Sequence, residues 1–263
     1  MRRFETFDKK AIIKDSIENF NKKIFKNEIV WTYLVGSLAK KNKEIYKLLS
    51  GFNYNNSHSI FFEGQPITPY VRIEGSSYVD MALGAIGIRK GTISGLKYLS
   101  SYGNHVCFVE AKYLSDMSVK TKYSATRNQM DRVIENLLCL KDEGDFPKNL
   151  VFTLLTPRIF KESYGSRIYF YKFYEYKNLL RNDNKNLAEK IELSKENKRD
   201  KYTRKPMFIE NRLDHLNLNW VTFEEIFELV IPEIKGLDIT KEKEATIVWK
   251  KLNRYLNVGE SKE

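Results

Sequence analysis

The segment from His105 to Thr156 restricts the fold more than any other part of this chain. It begins with a run from His105 to Leu114 that is apolar enough for a strand buried inside a sheet. A helix follows, and its apolar face consists of Met130, Val133, Ile134, Leu137 and Leu138. A second apolar strand, Asn149 to Thr156, ends the segment. A strand, a helix and a strand with short connections predict a right-handed crossover. We therefore expect an α/β fold with a mixed central β-sheet.

Apolar periodicity and turn residues predict the other elements. We expect helices at residues 8–23, 28–49, 166–180, 184–198, 222–230 and 241–256. Strands are expected at 70–74, 78–88 and 213–220, of which the first two form a hairpin or one bent strand. The glycine-containing stretch 89–104 predicts a loop. The expected organisation is a single α/β domain. Its core, at about 1–160, includes the N-terminal helices, and a basic, mainly helical C-terminal region, 161–263, packs on that core.

The composition excludes several classes of protein. A hydrophobic content of 42% excludes wholesale disorder, and no apolar run approaches the roughly 18 residues that cross a bilayer. Two cysteines and three histidines give no basis for a disulfide framework or a zinc cluster. The N-terminus lacks the apolar region of a signal peptide, so we expect a cytoplasmic protein with no membrane partner. The net charge of +11 permits binding to nucleic acid but does not require it.

Three charged residues within apolar strands are the strongest candidates for chemistry: Asp80, Glu110 and Lys112. Strand alternation places Glu110 and Lys112 on one face, because they are two residues apart. Buried charges are costly unless they are paired or bound to metal. Two carboxylates suffice for Mg²⁺, which keeps several waters, and the ammonium would orient or help deprotonate the attacking water, or stabilise charge on phosphorus. The structural alternative is a buried Glu-Lys pair with Asp80 capping a turn.

These residues, together with the helix that contains Asn128-Gln129-Met130-Asp131-Arg132, resemble the PD-(D/E)XK nuclease superfamily. The resemblance covers roughly residues 28–157, and Val79 stands where the family has proline. It implies a restriction-endonuclease-like core, in which helices flank a mixed sheet of four or five strands. The implied activity is metal-dependent phosphodiester hydrolysis, with Mg²⁺ as cofactor and Mn²⁺ as its substitute. Asp80 and Glu110 would then be metal ligands, and Lys112 a catalytic residue.

Two further positions follow from the same resemblance. Glu28 occupies the place of a first-helix carboxylate that supports the metal site in many members, so the resemblance implies that it is a catalytic residue and a metal ligand. Its structural alternative is a solvent-facing glutamate favoured by the helix dipole. Gln129 resembles the catalytic glutamine of the family and lies on the flank of the apolar helix face, within reach of the sheet edge. Its structural alternative is a polar boundary residue.

The C-terminal region carries the expected nucleic-acid contacts. Residues 161–205 hold 13 Lys and Arg against 7 Asp and Glu, interleaved with aromatic residues. The densest basic cluster consists of Arg199, Lys201, Arg204 and Lys205, and we expect it to contact phosphates. The tyrosines between 164 and 176 have helical spacing, which favours a place in the core over stacking on bases.

The function expected from these observations is a Mg²⁺-dependent DNA nuclease, in restriction or phage defence. Cleavage of RNA and a role in repair or recombination are the alternatives among enzymes. A catalytically silent nucleic-acid-binding subunit with the same fold is the alternative outside them. Many enzymes of this family form dimers in order to cut both strands, so a homodimer is a possible assembly.

Overall fold

The computed structural model describes residues 28–69, 77–118, 127–162, 167–191 and 210–234. The helices expected at 8–23 and 241–256 and the strand expected at 70–74 lie outside these residues, as does the second half of the helix expected at 184–198.

A mixed sheet of five strands forms the centre of the described structure. Its order is β1-β2-β5-β6-β7, in which β1 pairs with β2 and β2 with β5 antiparallel, while β5, β6 and β7 are parallel. A separate hairpin is formed by β3 and β4. The strands are β1 (Ser59–Gly64), β2 (Val79–Gly84), β3 (Ile86–Ile88), β4 (Leu96–Tyr98), β5 (His105–Ala111), β6 (Asn149–Thr156) and β7 (Leu216–Thr222). The prediction of an α/β fold on a mixed sheet is confirmed.

Helices cover both faces of this sheet. The helices are α1 (Glu28–Lys41), α2 (Lys43–Ser50), α3 (Gln129–Leu138), α4 (Arg158–Glu162), α5 (Ile168–Asn182), α6 (Asn184–Ile191), α7 (Glu210–Leu213) and α8 (Phe223–Ile234). Apolar residues of α3, α5 and α6 share one buried cluster with the sheet, and those of α1, α2 and α8 share a second cluster. The two clusters form a core on each side of the sheet, as expected for strands that are apolar on both faces.

The connection from β5 through α3 to β6 has the predicted order, and β5 pairs with β6 in parallel. Helix α3 begins with a capping box, in which Asn128 and Asp131 each accept a hydrogen bond from the other's backbone N–H. The apolar face of α3 then packs on the sheet, because all of its predicted apolar residues are buried.

Two predicted elements are divided in the structure. The helix expected at 28–49 breaks at Asn42, whose extended backbone and side chain cap the start of α2. The strand expected at 78–88 breaks after Gly84, which has φ 111°. A Cβ at Gly84 would lie 2.2 Å from the carbonyl oxygen of His105. The close approach of these two backbones therefore requires glycine there.

The remaining differences concern strands formed by long-range pairing. Strand β1 was not predicted, although it is the antiparallel partner of β2. The stretch predicted as a loop, 89–104, contains β4. The fifth strand of the sheet, β7, comes from the C-terminal part of the chain. It was predicted at 213–220 and is observed at Leu216–Thr222, so it ends two residues later than predicted.

Candidate active site

The candidate site lies at one edge of the sheet, where β5 ends and β2 begins. In the antiparallel pairing of these strands, Met81 is opposite Val109, and the same register continued by one residue places Asp80 opposite Glu110. The backbone N–H of Ala111 donates a 2.8 Å hydrogen bond to the Asp80 carboxylate. The two carboxylates of the sequence prediction are thus neighbours on adjacent strands.

Lys112 is the positive centre of the site and is 5% exposed. Its Nζ lies 2.8 Å from Oε1 of Glu110 and 3.2 Å from Oε1 of Glu28, and it donates to the carbonyl oxygen of Ala111 at 2.9 Å. Burial by itself lowers the pKa of Lys112, but the negative charges of Glu110, Asp80 and Glu28 raise it, and the net direction is upward. Lys112 is therefore an ammonium at neutral pH, suited to stabilising negative charge rather than to accepting a proton.

Glu110 is 2% exposed, and its two oxygens have different surroundings. Oε1 accepts hydrogen bonds from Gln129 and contacts the ammonium of Lys112. Oε2 is buried and has no hydrogen-bond partner among the residues that the structure describes. A buried carboxylate oxygen without a donor costs free energy, and a cation bound there would remove that cost.

Asp80 is the second carboxylate of the site, and its pKa is raised. Burial, followed by the charge of Glu110, raises the pKa of Asp80 well above its ordinary value, despite the opposing effects of Lys112 and of the Ala111 N–H. Two neighbouring carboxylates, one of which is unfavourable when ionised, form a site that a divalent cation would stabilise.

Glu28, the first residue of α1, connects that helix to the chain that follows β5. Its Oε1 accepts a hydrogen bond from Lys112 at 3.2 Å. Its Oε2 accepts from the backbone N–H of Tyr113 at 3.0 Å and from the Ser115 hydroxyl at 2.8 Å. Both oxygens are thus engaged by protein donors, so Glu28 fixes the position of Lys112 and of the following loop.

Gln129 is the first residue of α3. It enters the site from the face of the sheet opposite to the one that α1 covers. Its Nε2 donates to Oε1 of Glu110. The capping box before it fixes the start of the helix and therefore the point from which this side chain extends. Gln129 and Lys112 together hold one oxygen of Glu110, while the other oxygen has no donor among the described residues.

Two residues near the site were not predicted from the sequence. Glu63 of β1 lies opposite Asp80, because Phe62 pairs with Met81 and Gly64 with Val79. Its φ of 48° is rare for a residue other than glycine. It borders a cavity of about 20 Å³, which is room for about one water, lined by Glu28, Ile29, Thr32, Tyr33, Phe62, Glu63 and Asp80. No sequence signal marked Glu63, because β1 itself was not predicted.

The second missed residue is Tyr169 of α5. It is fully buried, and its hydroxyl has no hydrogen-bond partner in the described part of the chain. Burial raises its pKa, while the charges of Lys112 and Glu28 act on it in opposite directions. Tyr169 was part of the tyrosine-rich stretch predicted to lie in the core, and nothing in that pattern separated it from its neighbours.

The described residues contain no group of three or more His, Cys, Asp and Glu side chains that is arranged to hold a metal ion. Of the three predicted metal ligands, Asp80 and Glu110 lie side by side on adjacent strands, while both oxygens of Glu28 accept hydrogen bonds from the protein. Mg²⁺ commonly binds through one or two carboxylates and retains its waters, so this pair fits Mg²⁺ by the chemistry of its donors and by the unpartnered oxygen of Glu110.

The predicted phosphate-binding cluster of Arg199, Lys201, Arg204 and Lys205 lies outside the described residues. Within them, no helix has both the length and the apolar character to cross a membrane.

Comparisons with protein-family models, with characterised proteins and with solved structures find no match.

Proposed function

We propose that this chain is a Mg²⁺-dependent nuclease that hydrolyses phosphodiester bonds of DNA. The observation that carries the proposal is the buried Oε2 of Glu110, which has no hydrogen-bond partner among the described residues. Asp80 lies beside it, and the other oxygen of Glu110 is 2.8 Å from Nζ of Lys112. A buried Glu-Lys ion pair alone has no need of a second carboxylate or of an oxygen without a donor, since both reduce its stability.

Each residue has a distinct role in this proposal. Asp80 and Glu110 hold the metal, which when bound supplies a Lewis acid and lowers the pKa of a bound water. Lys112 places a permanent positive charge at the site and stabilises the charge that develops on the scissile phosphate. Glu28 positions Lys112, and Gln129 orients Glu110. These last two act through other residues and do not contact the reacting atoms.

The order of elements supports a restriction-endonuclease-like core. Helix α1 precedes the antiparallel pair β1 and β2, the Asp80 strand pairs with the Glu110 strand, and α3 leads to the parallel strand β6. The resemblance to PD-(D/E)XK nucleases supports DNA as the substrate, restriction or phage defence as the pathway, and a homodimer as the assembly.

The test is cleavage of supercoiled and linear DNA by the full chain with Mg²⁺ or Mn²⁺, with EDTA as the negative condition. Asp80→Asn, Glu110→Gln and Lys112→Met each preserve shape and remove a charge. We expect each variant to lose most of the cleavage rate. Calorimetric titration with Mn²⁺ gives an independent readout, in which Asp80→Asn and Glu110→Gln weaken metal binding.

Glu189→Gln is the matched control, because Glu189 is an exposed carboxylate on α6. It should retain full cleavage and full metal binding. Full activity in all three site variants would overturn the assignment of the site. Binding of DNA without cleavage under any metal condition would instead favour the silent subunit.

The basic cluster of the C-terminal region supplies a separate test of the partner. Each phosphate contact that is lost reduces the slope of log affinity against log salt by about 0.7 to 0.9. Replacing Arg199, Lys201, Arg204 and Lys205 together by alanine should therefore weaken DNA binding and make its salt dependence shallower. Unchanged affinity and slope would show that this cluster does not contact the substrate.

A further inference from the structure

Helix α5 has two aromatic faces with different surroundings. Tyr169, Phe173 and Tyr176 are buried in the core, as the helical spacing predicted. Tyr171 and Tyr174 are instead 58% and 46% exposed. Exposed aromatic side chains one turn apart on a helix form a continuous surface. Packing in the core does not explain why these two exposed positions are aromatic.

The surface formed by Tyr171 and Tyr174 packs on aromatic rings beneath it. The ring of Phe170 lies 5.8 Å from that of Tyr171 and 4.9 Å from that of Tyr174. The buried Trp220 of β7 lies 5.9 Å from Tyr174. Packing against buried rings restricts the two tyrosines, so a ligand that stacks on them pays less conformational entropy on binding.

The strand register places this surface near the candidate active site. Glu110 pairs with Leu154, and Leu154 pairs with Trp220. Neighbouring residues in paired strands share a face, so Glu110 and Trp220 lie on the same face, two strands apart. At about 4.8 Å for each strand, their backbones are about 10 Å from each other.

The start of α5 is attached to the chain just beyond Lys112. The backbone N–H of Ile168 donates to the Asp116 carboxylate at 2.8 Å, and Arg167 donates to the carbonyl oxygen of Leu114 at 3.1 Å. The aromatic surface therefore keeps a defined position relative to the site, as required of an element that guides a substrate.

The charge of α5 suits an anionic partner. Its exposed stripe continues from the two tyrosines to Asn178 and Arg181 and contains no carboxylate. The helix carries three cationic residues and one acid, Glu175, which pairs with Lys172 at 2.8 Å and with Lys190 at 2.9 Å. A polyanion with flat apolar groups complements this surface.

We propose that Tyr171 and Tyr174 form a platform on which unpaired bases of a nucleic-acid substrate stack, so that the site acts on single-stranded DNA or on the unpaired part of a duplex. This inference rests on the proposed nuclease function. Aromatic side chains bind single strands because every base has a stacking face, whereas paired bases in a duplex are already stacked.

The test is binding of a fluorescent 20-nucleotide single strand and of its duplex to the full chain in EDTA, which prevents metal-dependent cleavage. Stacking contributes about 1–3 kcal/mol for each base, so Tyr171→Ala and Tyr174→Ala should each weaken single-strand binding about tenfold. Duplex affinity should change less than twofold. Tyr171→Phe and Tyr174→Phe keep the ring and should retain single-strand affinity.

Tyr102→Ala is the matched control, since Tyr102 is 40% exposed and precedes β5 at the opposite edge of the sheet. It should leave both affinities unchanged. Thermal melting identifies any variant that has lost its fold. For Tyr174, which contacts Trp220, the phenylalanine variant and the separate Tyr171 variants keep the test decisive.

Folded alanine variants with wild-type single-strand affinity would overturn the platform, as would phenylalanine variants that bind as weakly as the alanine ones. Tyrosine-dependent self-association without DNA binding would likewise overturn it and assign the surface to a second copy of this chain. Since binding is measured without metal, a chain that binds single strands through these tyrosines but never cleaves retains the platform and loses the nuclease proposal.

Discussion

Lys112 and Lys172 offer a direct comparison between a buried and a partly exposed ion pair in one chain. Each Nζ lies 2.8 Å from a glutamate oxygen, Glu110 for the first and Glu175 for the second. The side chains of the Lys112 pair are 6% and 2% exposed, while those of the Lys172 pair are 35% and 33% exposed. Lys112→Met and Lys172→Met each remove one ion pair of 2.8 Å, and Lys112→Met also removes contacts with Glu28 and with the Ala111 carbonyl oxygen.

The expected cost follows from burial. At 2.8 Å and an effective dielectric constant of about 20, the Coulomb attraction is about 6 kcal/mol, and part of it is offset by the desolvation of both ions. Lys112→Met leaves Glu110 charged and buried with the amide of Gln129 as its remaining donor among the described residues. Removing one partner of a buried pair typically costs about 3–5 kcal/mol. The exposed pair of Lys172 contributes about 1 kcal/mol or less.

Glu110→Gln in the Lys112→Met background completes the comparison. It removes the uncompensated charge, so the double variant should be more stable than Lys112→Met alone. If the two substitutions acted additively, the double variant would instead be less stable than either single variant. Urea unfolding in EDTA, followed by tryptophan fluorescence, measures all the variants. Equal losses for Lys112→Met and Lys172→Met, or no recovery in the double variant, would refute the electrostatic account of the site.

Three further outcomes test other parts of the structure. Gln129→Ala removes a hydrogen bond to buried Glu110, so it should lower stability by about 1–3 kcal/mol in urea unfolding and the rate of DNA cleavage about tenfold; an unchanged cleavage rate in the folded variant would make Gln129 a structural residue. Burial raises the pKa of Asp131 from 3.8 to about 6, so the folded state binds an extra proton between these values, and the stability from this group is present below pH about 4 and lost as the pH rises to 6. Asp131→Asn should remove up to about 3 kcal/mol of that pH dependence, measured by urea unfolding from pH 4 to 6, and an unchanged slope would refute it. Tyr176 donates a hydrogen bond to Asp131 and accepts one from Asn128, so Tyr176→Phe should cost about 1–3 kcal/mol, whereas Tyr169→Phe removes an unpartnered hydroxyl and should cost nothing; similar losses in both variants would contradict the different surroundings of the two hydroxyls.

The central part of the fold was predictable because its signals are local. A strand buried on both faces must be apolar along its length, which marks His105 to Ala111 and Asn149 to Thr156. The helix between them needs one apolar face, and its periodicity is visible in the sequence. The same strand periodicity places Glu110 and Lys112 on one face.

The unpredicted features depend on contacts between distant parts of the chain. Strand β1 is defined by its pairing with β2, and the break after Gly84 by the close approach of His105. Glu63 enters the site only through that register. Such pairings are not encoded in local periodicity, because a strand of six residues has too few positions to distinguish its pattern from a turn.

The sequence by itself determined which residues are costly to bury: Asp80, Glu110 and Lys112 are charged groups in apolar strands, and this holds for any fold that buries them. The tertiary structure alone decided which partners they have. It brought Glu28 from α1 to Lys112 and Gln129 from α3 to Glu110, and it left one oxygen of Glu110 without a donor in the part of the chain that the structure describes. The cost of burial follows from the chemistry of each side chain, whereas the choice of partner depends on how the strands and helices pack in three dimensions.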